Sequence, residues 1–309
     1  MRKSIRLLMM AGAIVALSFA FTSCEDILGS LDKPIPKDTT FKKFNPDKGV
    51  WETVDLSTLN ATSLTPAFIA RNIADGTLNL TSGTYLVEGS VNIDVNVTVG
   101  GDGVFRLLLA NGATCNIDGS LFLGDGTDLE VLSQEAAKMC VKSNDGTYPA
   151  LSAQNMTIEG GDVEFKSTAT SVPGGVMTGN ITINSGNVKF MSETGDGVAL
   201  GGNTIVWRGG DVTCKGKNGI TVHDGLTVDM LELIGASSFS FESNGTGGKA
   251  FNSDSETGKV YITLPDDFDN DWRLIGDKGS GEQVQPLNPI TNIIEIDGKQ
   301  FAVLKLKHF

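Results

Sequence analysis

Histidine is nearly absent from this chain. Of 309 residues only His223 and His308 carry an imidazole, too few for a poly-histidine metal centre. Aromatic residues are scarce as well, at 7%, whereas there are 38 glycines. That balance favours many short strands and tight turns and disfavours long helices. Basic residues are the minority, 24 against 37 acidic ones. A surface of that sign repels phosphate backbones, so nucleic acid is not an expected partner. A polyanionic ligand would be repelled too, unless a divalent cation bridged it.

The start of the chain carries the most specific signal. Arg2, Lys3 and Arg6 precede an apolar run from Leu7 to Phe21, followed by Thr22, Ser23 and Cys24. A basic end, a short apolar core and small residues before a cleavage point describe a secretory leader. The run is too short for a comfortable membrane span. Residues 21–24 resemble a lipobox, which implies a 1–24 lipoprotein signal with Cys24 acylated as the first mature residue. Several acyl chains on one residue give stable anchoring where one chain would not. Glu25 and Asp26 follow directly and resemble the surface-export signal of Bacteroidetes lipoproteins, with Phe21 in place of the usual leucine. Removal of the leader leaves 21 basic against 37 acidic side chains, a net charge of −16. The resemblance implies an outer-membrane, lipid-anchored protein at the cell surface, touching the membrane only through its anchor.

Residues 25–50 are polar and contain Pro34, Pro36 and Pro46, a composition that suits a tether. Residues 51–76 form the expected N-terminal cap. Thr65 fits a helix N-cap, Pro66 the first helical position and Gly76 the stop. Phe68, Ile69 and Ile73 would share the apolar face of that helix, which would lie as a lid on the open end of a solenoid.

An internal repeat sets the fold class. Met156 to Ser167, Ile181 to Ser192 and Ile205 to Gly216 are three copies of one pattern. Each is an alternating strand, a Gly-Gly-Asp type turn and a second alternating strand. Each is followed by a short apolar stretch, Val176-Met177, Val198-Ala199-Leu200 or Ile220-Thr221-Val222. Three short strands in every 24 or 25 residues match one coil of a parallel β-helix, right-handed because parallel crossovers almost always are. Stacked coils lie about 4.8 Å apart, so like positions form columns. The alternation turns Val163, Val188 and Val212 inward as one column and Phe165, Phe190 and Cys214 as another. It turns Ile158, Ile183 and Trp207 to one side and Glu159, Asn184 and Arg208 to the other. The glycine before each Asp or Asn allows a positive φ at the corner. The expected class is therefore all-β, with the β-helix over 77–258. A C-terminal β cap over 259–309 would be built on a hairpin from Ile293 to Leu306 around Asp297-Gly298.

Cys115, Cys140 and Cys214 remain in the mature chain. Alternation puts Cys115 and Cys214 inward and Cys140 outward, which argues for free thiols and against a bridge.

Asp162, Asn187 and Asp211 share one corner of three coils. They form either a turn ladder, since Asp and Asn hydrogen-bond backbone at corners, or a Ca2+ site built from stacked oxygen ligands. Asp266 to Asp271 is a second acidic run, read as a solvated loop because it lacks the glycine and final glutamate of an EF-hand. Arg208, with Lys189 and Lys215 on the neighbouring strand face, is the candidate ligand-binding cluster. It is also the only cluster that suggests a lyase, and paired charge across adjacent coils explains it equally.

The repeat Thr157-Ile158-Glu159-Gly160-Gly161-Asp162-Val163, with Gly195-Asp196-Gly197-Val198 before the next strand, resembles the β-helical, calcium-dependent carbohydrate-binding proteins. That resemblance implies binding of an acidic polysaccharide such as polygalacturonate through calcium. Three functions are therefore expected candidates: a surface lipoprotein that binds a cell-surface glycan or polysaccharide, a structural or adhesive β-helix with a protein partner, and a polysaccharide lyase. No catalytic residue is assigned, and an enzyme is the least expected of the three.

Overall fold

The computed structural model describes residues 39–169, 176–177, 179–193, 198–202 and 204–216, together with the backbone of the strands between 218 and 308. The chain winds into a parallel β-helix whose coils carry three flanks. Flank A holds Thr127–Ser133, Asn155–Ile158, Asn180–Ile183, Thr204–Trp207, Met230–Leu233 and Lys259–Thr263. Flank B runs from Ser90–Ile93 through Thr114–Asp118, Lys138–Ser143, Asp162–Ser167, Asn187–Ser192 and Asp211–Gly216 to Ser238–Ser243. Flank C holds Leu121–Leu123, Leu151–Ser152, Val176–Met177, Val198–Gly202, Asn218–Val222 and Phe251–Ser253. Two long strands, Thr77–Val87 and Asn96–Leu109, each supply flank C with their first half and flank A with their second. At the corner between those halves the register shifts, with Gly100 opposite Thr81 but Phe105 opposite Gly83. Gly101 and Gly103 take positive φ there, 92° and 109°.

The columns read from the repeat are present. Val163 lies beside Val188 and Val188 beside Val212, and all three are buried. Phe165 and Phe190 stack with ring centroids 5.7 Å apart and planes 5° from parallel, and Cys214 continues their column. Ile158, Ile183 and Trp207 make the matching inward column on flank A. A single coil could not hide these groups from water. Stacking buries each of them on two sides, and full burial of one such side chain contributes about 1.5–3 kcal/mol.

A second inward feature is polar. Ser143, Ser167 and Ser192 occupy equivalent ends of flank B and are buried. Ser120 Oγ donates to Ser143 Oγ at 2.9 Å. Ser143 Oγ and Ser167 Oγ then both donate to the carbonyl of Tyr148, each at 3.0 Å. The loop carrying Tyr148 is thereby pinned to the interior.

The N-terminal helix α1 spans Pro66–Asn72, and the Thr65 hydroxyl accepts from the Phe68 N–H at 3.1 Å. Ile69 is buried and Phe68 packs against the core. Ile73 differs from the expectation and is 40% exposed. The helix ends one residue earlier, and Ile73–Ala74 is a strand paired antiparallel with Leu78 and Thr77. Asp75 and Gly76, at φ 51° and 73°, form the tight turn between them. They do not act as a helix stop, because two successive positive φ values suit the primed hairpin turn.

Two boundaries move. Lys259–Thr263 pairs parallel with Met230–Leu233, so flank A continues past residue 258. The expected hairpin from Ile293 to Leu306 does not pair with itself. Ile293–Asp297 pairs antiparallel with Lys259–Thr263, while Val303–His308 pairs antiparallel with Ser238–Ser243 and with Trp272–Asp277. Each strand closes a different flank, which removes two open sheet edges where a self-paired hairpin would cover one.

Candidate functional site

The part of the expected tether nearest the domain is an ordered hairpin. Strands β1 (Thr40–Asn45) and β2 (Val50–Asp55) pair antiparallel with Phe44 opposite Trp51. The hairpin lies against the outside of flank A as a strap. Phe41 is buried on Leu86, Leu108 and Leu132, with Leu56, Leu59 and Ala61 closing the cluster. Those leucines are successive rungs of one outward column, since Leu86 is opposite Leu108 and Leu108 opposite Leu132. The column continues with Glu159, Asn184 and Arg208, and there the strap makes polar contacts. The Phe44 N–H donates to Glu159 Oε2 at 3.0 Å, and Asn184 Nδ2 donates to the same oxygen at 2.9 Å. An Arg208 guanidinium N–H donates to Asn184 Oδ1 at 3.1 Å, and the guanidinium carbon lies 5.3 Å from the centre of the Phe44 ring. Lys43 pairs with Glu130 at 2.5 Å, Glu130 also binds Arg106, and Gln134 Nε2 donates to the Thr40 carbonyl at 2.7 Å.

Burial holds the Glu159 carboxyl above the usual carboxylate range, and the nearby Glu130 adds to the effect. The Phe44 and Asn184 hydrogen bonds, with Lys43 nearby, oppose it. A carboxyl raised on folding contributes stability that is present at low pH and lost as pH rises through the folded value. Glu159→Gln is therefore expected to be more stable than the parent at neutral pH. Its advantage should shrink to nothing below about pH 4.5, the ordinary glutamate value. Urea unfolding of both proteins between pH 3.5 and 8 checks this, and a difference that does not vary with pH would remove Glu159 as the titrating group.

The proposed ligand cluster spans two flanks. Arg208 closes a flank A strand beneath Phe44, while Lys189 and Lys215 belong to flank B, opposite Glu164 and Met191 respectively. The repeat puts the two lysines on the strand face that neighbours Arg208. The strap is what commits Arg208, and nothing in the repeat reports the strap.

Asp162, Asn187 and Asp211 do stand in register on flank B. Asn187 Nδ2 donates to Asp162 Oδ1 at 3.2 Å, a bond between side chains of successive coils and not to corner backbone. The amide that would separate two carboxylates thus presents N–H, not oxygen, to Asp162. Among the described residues no group of three or more His, Cys, Asp or Glu is arranged to hold a metal ion. The same amide-to-oxygen bond recurs on other columns: Asn116 to Asn92 at 2.9 Å, Asn144 to Asp118 at 2.6 Å, Asn155 to Asp128 at 2.7 Å and Asn180 to Asn155 at 2.9 Å. Cys24 and the acidic run Asp266 to Asp271 lie outside the described residues.

Cys115 and Cys214 are buried and Cys140 half-buried, all as free thiols. Burial pushes the Cys115 thiol up to about 12 and Cys214 well above its usual value. Both are inert as nucleophiles at neutral pH.

An aromatic pair stands at flank C, a half-buried Phe122 and an exposed Tyr148. Phe122 faces outward beside Ser152, and Tyr148 meets it edge to face, with ring centroids 5.3 Å apart and planes at 86°. Tyr148 is 43% exposed although its backbone carbonyl is fixed by two buried serines. Ser152, the strand partner of Phe122, also lines a groove of about 380 Å³ together with Gly124, Asp125, Gly126 and Gln154. Tyr148 sits in a loop, where periodicity carries no information, and Phe122 lies outside the three clear copies of the repeat. Only the structure brings the two together.

The fold defines the class of the protein as a parallel β-helix with a strapped flank. No protein-family model, curated protein or solved structure matches the chain.

Proposed function

We propose that this protein is a lipid-anchored cell-surface protein whose β-helix binds carbohydrate. The anchor rests on the leader and Cys24. The binding rests on one observation, the exposed Tyr148 ring set against the half-buried Phe122, whose strand partner Ser152 lines a polar groove. Sugar rings present C–H faces that stack on aromatic rings, and hydroxyls that bond to carboxylate, amide and hydroxyl groups. A fixed aromatic with Asp125, Ser152 and Gln154 alongside supplies both. Because the Tyr148 loop is already ordered, binding does not have to offset the entropy of arranging it.

Affinity electrophoresis through gels containing different polysaccharides tests this reading. At least one glycan should retard the protein, and Tyr148→Ala should weaken that binding about tenfold, the effect of a contact of about 1.4 kcal/mol. Retardation by no glycan would end the proposal.

A structural or adhesive role is the second reading, favoured by the amide ladders. Side chains that bond along the coils stiffen the surface and leave fewer polar groups for a ligand. This reading expects no glycan retention and a protein partner recovered by crosslinking on cells. The lyase reading has less support, because Arg208 is engaged by Asn184 and covered by Phe44.

A further inference from the structure

The groove on flank C also carries information about the charge of its ligand, and this step rests on the carbohydrate reading above. Asp125 lines the groove and is exposed. Asp102 stands at its edge: a Cβ built on Gly126 would come within 2.9 Å of Asp102 Oδ1, so that carboxylate lies directly over the glycine. Asp128 follows one residue beyond Thr127 and accepts from Asn155 at 2.7 Å. No Lys or Arg is among the residues that line the groove. The basic side chain of the preceding rung, Arg106, belongs to flank A, where it is engaged with Glu130. The groove is thus a negatively charged recess on a protein whose net charge is −13.

We infer that the groove takes sugar units without a carboxylate, neutral hexoses or amino sugars, and that binding needs no calcium. The aromatic pair supplies contact with the ring face and is indifferent to ligand charge. Discrimination comes from the carboxylates. A uronate at the groove would bring a third negative charge beside Asp125 and Asp102, where like charges at contact range repel. A hydroxyl instead donates to Asp125, and an ammonium pairs with it. The Gly124-Asp125-Gly126 turn keeps the approach open, since any side chain at Gly126, which has a φ of 81°, would meet Asp102. This differs from the acidic polysaccharide implied by the sequence resemblance, which would require a bridging cation.

The test is a binding panel on the full mature chain, with β-glucan, mannan, chitosan oligomers and polygalacturonate each measured with added calcium and with chelator. Tyr148→Ala and Asp125→Asn serve as variants, and thermal melts confirm that both fold. The expected result is binding of a neutral or chitosan ligand, unchanged by chelator and about tenfold weaker in Tyr148→Ala. Asp125→Asn, which keeps an acceptor oxygen and removes the charge, should weaken chitosan severalfold if the ligand is an amino sugar, and should weaken β-glucan or mannan by less than that if it is neutral. Tyr148-dependent retention of polygalacturonate, or loss of binding in chelator, would overturn the assignment of ligand class while leaving carbohydrate binding in place. Failure of every glycan to bind would overturn the carbohydrate reading itself.

Discussion

Gly186→Ala is expected to destabilise the solenoid by on the order of 4 kcal/mol, at the upper end of what single substitutions do. Gly186 sits at the corner between flanks A and B with a φ of 106°, a conformation that costs a residue with a Cβ about 1–3 kcal/mol. The added carbon would also stand 2.6 Å from the carbonyl oxygen of Gly161 in the coil below. That oxygen cannot retreat cheaply, because it accepts the Asn187 N–H at 2.8 Å. Gly210 repeats the arrangement one coil on, its own Cβ position blocked by the carbonyl of Gly186. The corner is a stack of backbones in direct contact, with room for hydrogen only. In a solenoid each coil is stabilised by its two neighbours, so a fault at Gly186 weakens two interfaces together. Chemical denaturation should show the midpoint falling sharply, with amide exchange accelerating first between Asn180 and Ser192. Gly112→Ala is the control: its φ of 68° is also positive, yet nothing lies within 4 Å of the added carbon, so it should cost only about 1–2 kcal/mol, the cost of the left-handed backbone. Equal losses at the two sites would show that backbone conformation, not the contact between coils, sets the effect.

How much of this was legible in the sequence depends on whether a residue's role is set within its own coil. The inward columns were legible because a period of two along the strand and about two dozen along the chain fix both direction and neighbour. Val163, Phe165 and Trp207 needed no other information. Glu159, Asn184 and Arg208 point away from the core as alternation requires, yet Glu159 and Asn184 are buried, at 4% and 5% exposure. What covers them is a hairpin more than a hundred residues earlier in the chain, outside the repeat. A signal of the cover was nevertheless present. Tyr85-Leu86-Val87 and Leu107-Leu108-Leu109 break the alternation with a leucine where a polar residue belongs, and a strand apolar on both faces is a strand buried on both faces. The prolines and charges of residues 25–50 masked the other half of that signal, because they made β1 read as linker. The cover over Arg208 has the same origin, and the pairing of the chain-closing strands was not legible because Asp-Gly suits a hairpin turn wherever it occurs. Tyr148 is a different case. Loop residues have no period, and its place beside Phe122 depends on two serine hydroxyls reaching its carbonyl from inside.

Phe41→Ala should release the strap. Phe41 is 1% exposed, and truncating a fully buried phenylalanine costs about 3–5 kcal/mol. Here that loss falls on one hairpin, which has no core of its own and is anchored on the leucine column by this side chain. An isolated two-stranded hairpin is marginal in water, so the remaining contacts must hold it alone. They include the Lys43–Glu130 pair, the Phe44 N–H on Glu159, the Phe44 ring against Arg208 and the Gln134 amide on Thr40. Each contributes little once the hairpin is free to move, and the exposed parts are screened by water and salt. Two changes should appear together in the variant. The Phe44 amide should lose its protection from hydrogen exchange, while the Phe165 and Phe190 amides in flank B keep theirs. Leu86, Leu108 and Leu132 should become accessible as one apolar strip and bind a hydrophobic dye. Because the strap crosses the rungs from Leu86 to Arg208, its release also removes the one described element that ties distant coils to each other. Unfolding should then spread over a wider range of denaturant as coils come apart in sequence. A Phe41→Ala protein that keeps the Phe44 amide protected would show that the polar contacts alone hold the strap, with Phe41 merely filling space.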